Sequence, residues 1–133
     1  MSILLPHIKV ACAILQKDGL ILATQRSETM SLPLKWEFPG GKLEQGELPE
    51  ECLVRELQEE LGITVRVGQR LEPLTHYYPS FCITLYPFLC DQLQGTIILH
   101  EHRDARWLAP YELPALDWAE ADLPLITFLS KRP

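Results

Sequence analysis

Positive charge is scarce in this chain and nowhere gathered. Twelve lysines and arginines stand against 18 acidic residues, a net charge of −6 over 133 residues. Without a basic run, the phosphate neutralisation on which duplex nucleic-acid binding rests has no source. Cysteine is sparse too: Cys12, Cys52, Cys82 and Cys90 lie far apart with no C-x-x-C pair. That predicts free thiols in a reducing compartment, not a disulfide framework. Long apolar runs are missing as well. The opening MSILLPHIKVACAIL is broken by His7 and Lys9, and no small-residue cleavage site follows. This predicts no secretory leader, no membrane span and a cytoplasmic location. Repeats, low-complexity tracts and Gly/Ser linkers are absent, so a single domain over 1–133 is expected, long enough for one hydrophobic core.

What is present divides into strands and two helices. IKVACAIL (8–15) is β-branched and apolar, KDG (17–19) reads as a hairpin turn, and LILATQR (20–26) is its partner. SETMSLPLKW (27–36) reads as a loop. From Pro49 to Leu61 the pattern turns helical, with Pro49 in the first turn and Gly62 just past the end. Leu53, Val54, Leu57 and Leu61 form the predicted core stripe. Leu48 is a poor N-cap. Segments 63–71, 81–91 and 105–109 read as strands, and 121–132 as a closing helix with Asp122 as N-cap and basic residues at its end. The order predicts an α/β sandwich: a mixed sheet covered by two main helices.

The acidity is local. Between Gly41 and Ile63 seven glutamates face only Lys42 and Arg55, a net −5. At about 100° per residue, Glu56, Glu59 and Glu60 share one arc of the helix, and that arc is expected well away from the leucine stripe. Like charges on one helix face repel, and a divalent cation reverses the penalty. The donors are hard oxygens with no histidine or thiol on the arc, which favours Mg²⁺, with Mn²⁺ as substitute, over zinc. A solvated acidic face has the same composition. The FPGG stretch (38–41) points to a ligand instead, since Gly40 and Gly41 allow close backbone approach and a carbonyl to complete a metal shell. A plain turn is the competing reading of these glycines.

Gly41, five residues, Glu47, seven residues, then RELQEELGI (55–63) resembles the Nudix box, G-x5-E-x7-R-E-U-x-E-E-x-G-U, with every specified identity present. WEFPGGK (36–42) and HEHRDARWLAP (100–110) extend the resemblance to the MutT-like branch. It implies an α/β/α sandwich and hydrolysis of a nucleoside triphosphate to the monophosphate and pyrophosphate. It also implies Glu56, Glu59 and Glu60 as metal ligands, one of them also a base for water, with a carbonyl of Gly40 or Gly41. Glu47 and Arg55 then orient the ligands. Glu101 takes the place of a further catalytic carboxylate. His100 and His102 beside it read as loop residues or phosphate donors and are left out of the metal set.

For the substrate, the resemblance implies contacts from Arg26, Glu37, Phe38, Lys42, Phe81 and Asp122. Arginine suits phosphate or sugar oxygens, and Phe38 is a candidate stacking partner for a base. An ionised Asp122 only accepts hydrogen bonds, which favours an amino edge such as cytosine N4 or guanine N1/N2. Phe81 stands where guanine-sanitising members carry arginine. The expected substrate is therefore CTP, dCTP or a modified pyrimidine nucleotide, with 8-oxo-dGTP as the alternative. A non-catalytic nucleotide-binding module is the rival class, but such modules lose carboxylates and none is missing here. A monomer with no duplex nucleic-acid or membrane partner is expected.

Overall fold

The computed structural model describes residues 5–131. Its centre is a parallel pair, β1 (His7–Lys17) and β7 (Cys82–Gln94), in register from His7↔Cys82 to Gln16↔Asp91. β7 takes one whole edge of β1. The other edge is shared: β2 (Leu20–Gln25) pairs near its end and β4 (Gly40–Lys42) pairs with Val10–Cys12, both antiparallel. The far edge of β7 is divided in the same way between β6 (Leu74–Tyr77) and β5 (Thr64–Arg70). β3 (Trp36–Glu37) and β8 (Asp104–Leu108) extend the sheet from β2.

Period-two alternation explains the two layers. Cys12 and Ile14 of β1 face one core, with Trp36, Leu85, Leu125 and Leu129. Ala11, Ala13 and Leu15 face the other, with Leu53, Leu57 and Leu61. Helix α1 (Pro49–Leu61) covers this second face, and α2 (Leu123–Ser130) with two preceding 3-10 turns (Pro110–Ala115, Glu120–Asp122) covers the first. This is a mixed-sheet α/β/α sandwich. All four cysteines are buried free thiols. No helix among the described residues is long and apolar enough to cross a membrane.

Five expected strands and both helices stand where the pattern puts them, with four corrections. The β1–β2 turn carries positive φ at both Asp18 and Gly19, as a two-residue hairpin of inverted type requires. FPGG is no turn: Gly40 and Gly41 belong to β4. A side chain at Gly40 would come 2.0 Å from the Ala11 carbonyl oxygen, so β4 reaches β1 only because glycine stands there. Val54 is exposed, at 42%, because it lies a full 100° step beyond Leu53, off the buried stripe. Glu60 is buried instead: seven residues after Leu53, it returns to within about 20° of that leucine. The acidic arc therefore borders the core. Asp122 is not a side-chain cap, since the 3-10 turn runs straight into α2 and leaves Asp122 already helical and buried. Lys131 caps the helix end; Arg132, the second basic residue expected there, lies outside the described residues, as do residues 1–4.

Candidate active site

Over the stretch where β4 pairs with β1 and β6 pairs with β7, a cavity of about 550 Å³ opens on one face of the sheet. Alternate residues of β1 and β7 (Ile8, Val10, Cys12, Ile83, Leu85) form its apolar floor. Gly40, Gly41, Lys42, Glu56 and Glu60 line one end, and Tyr78, Phe81, Ala119 and Asp122 line another part of the wall. Arg26, Glu37 and Phe38 complete it, with Met30–Leu32 of the loop after β2.

The acidic end is built on α1. Arg55 forks onto Glu47 (Nε–Oε2 2.8 Å, Nη2–Oε1 2.9 Å) and reaches Glu56 Oε1 at 2.9 Å and Glu59 Oε2 at 3.4 Å. These bonds hold the Glu47 carboxyl down at about 2. Arg55 Nη2 also donates to the Lys42 carbonyl at 3.3 Å, tying the helix to β4. A Cβ on Gly41 would lie 2.3–2.6 Å from the Glu56 carboxyl atoms, so the missing side chain is the space that carboxyl occupies. Gly62 ends the helix in the left-handed conformation, its N–H bonded to Gln58 O.

Glu60 is the most perturbed carboxyl at this end. Burial first, then the charge and hydrogen bond of Glu56, then the charges of Glu37 and Glu101, push it up to about 9. Among the described residues its Oε2 is buried without a hydrogen-bond partner. Glu101, though exposed, is thus close enough to act on Glu60, and His100 N–H donates to the Glu60 carbonyl at 3.2 Å. Glu59 stands apart, with a side chain 60% exposed and turned to Arg55. Among the described residues, no three carboxylate, histidine or cysteine side chains are already closed on one point. The donor set nevertheless fits a hard divalent cation: an orphaned buried carboxyl oxygen, a second carboxylate against it, and a glycine cradle beside both.

At the other end, burial and the charge of Glu37 hold Asp122 well above the usual carboxylate range, opposed by Arg26 and a hydrogen bond from the Phe38 backbone. The shift is toward the neutral form, away from the ionised form expected from sequence. A neutral carboxyl donates one hydrogen bond and accepts others. Tyr78 and Phe81 stack with centroids 4.7 Å apart, and Tyr78 Oη accepts from Ala121 N–H at 3.2 Å. The Phe38 ring packs on Trp118 in the core (centroids 4.8 Å apart), so its stacking role with a base is replaced by a structural one. Glu37 is held by Arg26 Nη1 at 2.8 Å and His102 Nε2 at 3.0 Å.

All six expected substrate residues thus line one cavity with Gly40, Gly41, Glu56 and Glu60. Glu47, Arg55, Glu59 and Glu101 stand around it. Sequence reasoning missed Tyr78 and Cys12, and it read His102 as a loop residue or phosphate donor where the structure buries it against Glu37. A Tyr-Pro-Ser-Phe corner (78–81) between apolar segments was the one available signal for Tyr78.

Residues 5–129 match the model of the NUDIX domain. The chain is 38% identical over 119 residues to a CTP pyrophosphohydrolase of Escherichia coli, covering 90% of this chain and 88% of that one. To the 8-oxo-dGTP diphosphatase of the same species it is 35% identical over 125 residues, covering 93% and 97%. The solution structure of the E. coli ORF135 protein superposes with a TM-score of 0.82 at 36% identity, over 92% of this chain and 88% of that one.

Proposed function

Because the chain belongs to the Nudix hydrolases and is a pyrophosphohydrolase-type enzyme acting on nucleotides, we propose that it hydrolyses a nucleoside triphosphate to the monophosphate and pyrophosphate, with CTP, dCTP or a modified pyrimidine nucleotide preferred. One observation carries this reading: a single cavity joins the carboxyls of Glu56 and Glu60, beside Gly40 and Gly41, to an aromatic pair and a buried, neutral-leaning acid.

Mg²⁺ would be held by Glu56, Glu59, Glu60 and Glu101 with a carbonyl of Gly40 or Gly41. When bound, it supplies charge neutralisation on the phosphates and acidifies attacking water. The protein's own groups do the rest. Lys42 and Arg26, on the cavity wall, offer cationic donors to phosphate or sugar oxygens. Arg55 holds Glu56 and Glu47 in place, which limits their reorganisation during reaction. One cluster carboxylate takes the proton from water as its oxygen bonds to phosphorus, and the bridging P–O bond breaks to release pyrophosphate.

A neutral Asp122 matches cytosine, accepting from N4–H and donating to N3. The same pair of functions matches O6 and N7–H of 8-oxo-guanine, and one relative carries that activity in its name, so 8-oxo-dGTP is the second reading. The test is pyrophosphate release across CTP, dCTP, 5-modified dCTP, 8-oxo-dGTP and dATP with Mg²⁺, for the wild type and Glu60→Gln. The reading requires the highest kcat/KM on a cytosine nucleotide and loss of turnover in the variant. Silence on all five substrates would sink it.

A further inference from the structure

His102 is buried, its side chain 1% exposed. Its Nε2 lies 3.0 Å from Glu37 Oε2, and Nδ1 is buried with no partner among the described residues. The ring's polar tie is therefore to Glu37. That carboxylate needs the tie. It stands on the cavity wall near enough to Glu60 and Asp122 to act on both, and a carboxylate among other acids is tolerable only when donors serve its oxygens. Arg26 Nη1 serves Oε1 and His102 serves Oε2.

The turn that carries His102 also carries Glu101. On one side, His100 N–H is fixed to the Glu60 carbonyl at 3.2 Å; on the other, Arg103 N–H is fixed to the Gln25 carbonyl at 2.9 Å. Between these anchors Glu101 is exposed and His102 is buried. Glu101 and His102 share one short bend between these two anchors, one exposed and the other buried, so seating the ring limits where Glu101 can face.

We propose that His102 is a positioning residue: through its hydrogen bond to Glu37 it seats the 100–103 turn so that Glu101 faces the Glu56–Glu60 pair. A histidine that merely filled core volume would be indifferent to its donor. One that positions Glu101 acts through that donor, and its loss disturbs the carboxylate cluster more than nucleotide affinity.

The inference rests on the hydrolase reading, and wild-type turnover of the substrate panel tests that reading separately. On the best wild-type substrate, His102→Leu, which keeps bulk and removes the donor, should lower kcat about 10–100-fold with KM nearly unchanged. Without nucleotide, it should also weaken Mn²⁺ binding followed by electron paramagnetic resonance. His102→Gln, whose amide nitrogen reaches as far as Nε2, should recover most of both. On a Glu37→Gln background, His102→Leu should cost about twofold or less, since the partner is already altered. Wild-type kcat and Mn²⁺ binding in His102→Leu, equal loss in Leu and Gln variants, or multiplicative losses in the double variant would each overturn the proposal. Should His102→Leu fail to fold by circular dichroism, His102→Gln is compared with His102→Asn, whose donor is too short. Activity retained in Gln and lost in Asn supports the positioning role, and equal loss overturns it.

Discussion

A carboxyl buried beside other carboxyls keeps its proton, and Glu60 does so up to about 9 against an ordinary value of 4.5. Between these values the folded, metal-free protein holds a proton that the unfolded chain has released. Folding then takes up a proton, so stability falls as pH rises from about 4.5 towards 9. We expect the Tm of chelator-treated protein to decline across that range, and Glu60→Gln to flatten the decline. Mg²⁺ should release protons and raise Tm more at pH 8.5 than at pH 6, because metal displaces the proton from its ligand. A decline of the same slope in Glu60→Gln would assign the effect elsewhere. Asp122 is raised in the same direction at the other end of the cavity. If its neutral form reads the base, Asp122→Asn retains one donor and one acceptor and should preserve the substrate ranking, whereas Asp122→Leu should erase it. Kinetics on the substrate panel distinguish the two. The wild type should also show a kcat/KM for its best nucleotide that falls at high pH as Asp122 ionises, a limb that Asp122→Asn lacks.

At the scale of elements, the acidic end depends on β4 meeting both β1 and α1, and its two glycines serve different partners. A methyl at Gly40 meets backbone, 2.0 Å from the Ala11 carbonyl oxygen and 2.8 Å from Cys12 Cα. Backbone in the middle of a sheet cannot yield, so Gly40→Ala should open the β1–β4 pairing and cost several kcal/mol, within the range of severe core overpacking. The atoms nearest a methyl at Gly41 all belong to the end of the Glu56 side chain, at 2.3–2.6 Å. That carboxyl can swing aside, so Gly41→Ala should leave Tm within a few degrees of wild type while kcat falls at least tenfold. Thermal melts and kcat on the same preparations separate the cases. Equal destabilisation by both substitutions would mean that the Glu56 carboxyl is as immovable as the sheet. Helix α1 itself was legible because Pro49, the leucines and Gly62 are local signals. The burial of Glu60 was legible too, since it follows from counting seven residues beyond Leu53. Reading Val54 as core obscured it.

At the scale of the molecule, local signals identify β1, β2, β5, β7 and β8, each long enough to show its period. β3, β4 and β6 are two to four residues long and show none. The parallel β1–β7 pairing, which makes the cavity floor, joins residues 75 positions apart that carry no mark of one another. The same difference in range separates the two ends of the site. The acidic end was readable because most of it lies within one short stretch of chain. The other end assembles β1, the 78–81 corner and the turn before α2, so Cys12 carried no signal and Tyr78 only that of its corner. The two ends should also fail differently. Tyr78 stacks on Phe81 and receives the Ala121 N–H, joining the corner to the segment that carries Asp122. If that pair is the platform for the base, Tyr78→Ala removes a stacking contribution of about 1–3 kcal/mol. KM should then rise roughly 5–100-fold for every substrate, with kcat little changed, because uniform binding is lost while the carboxylates stay in place. Glu56→Gln should do the reverse, lowering kcat while a non-hydrolysable analogue binds nearly as before in the absence of metal. Steady-state kinetics with isothermal titration of that analogue resolve the pair. A collapse of kcat in Tyr78→Ala at normal KM would mean that the aromatic corner belongs to the chemistry and not to the base.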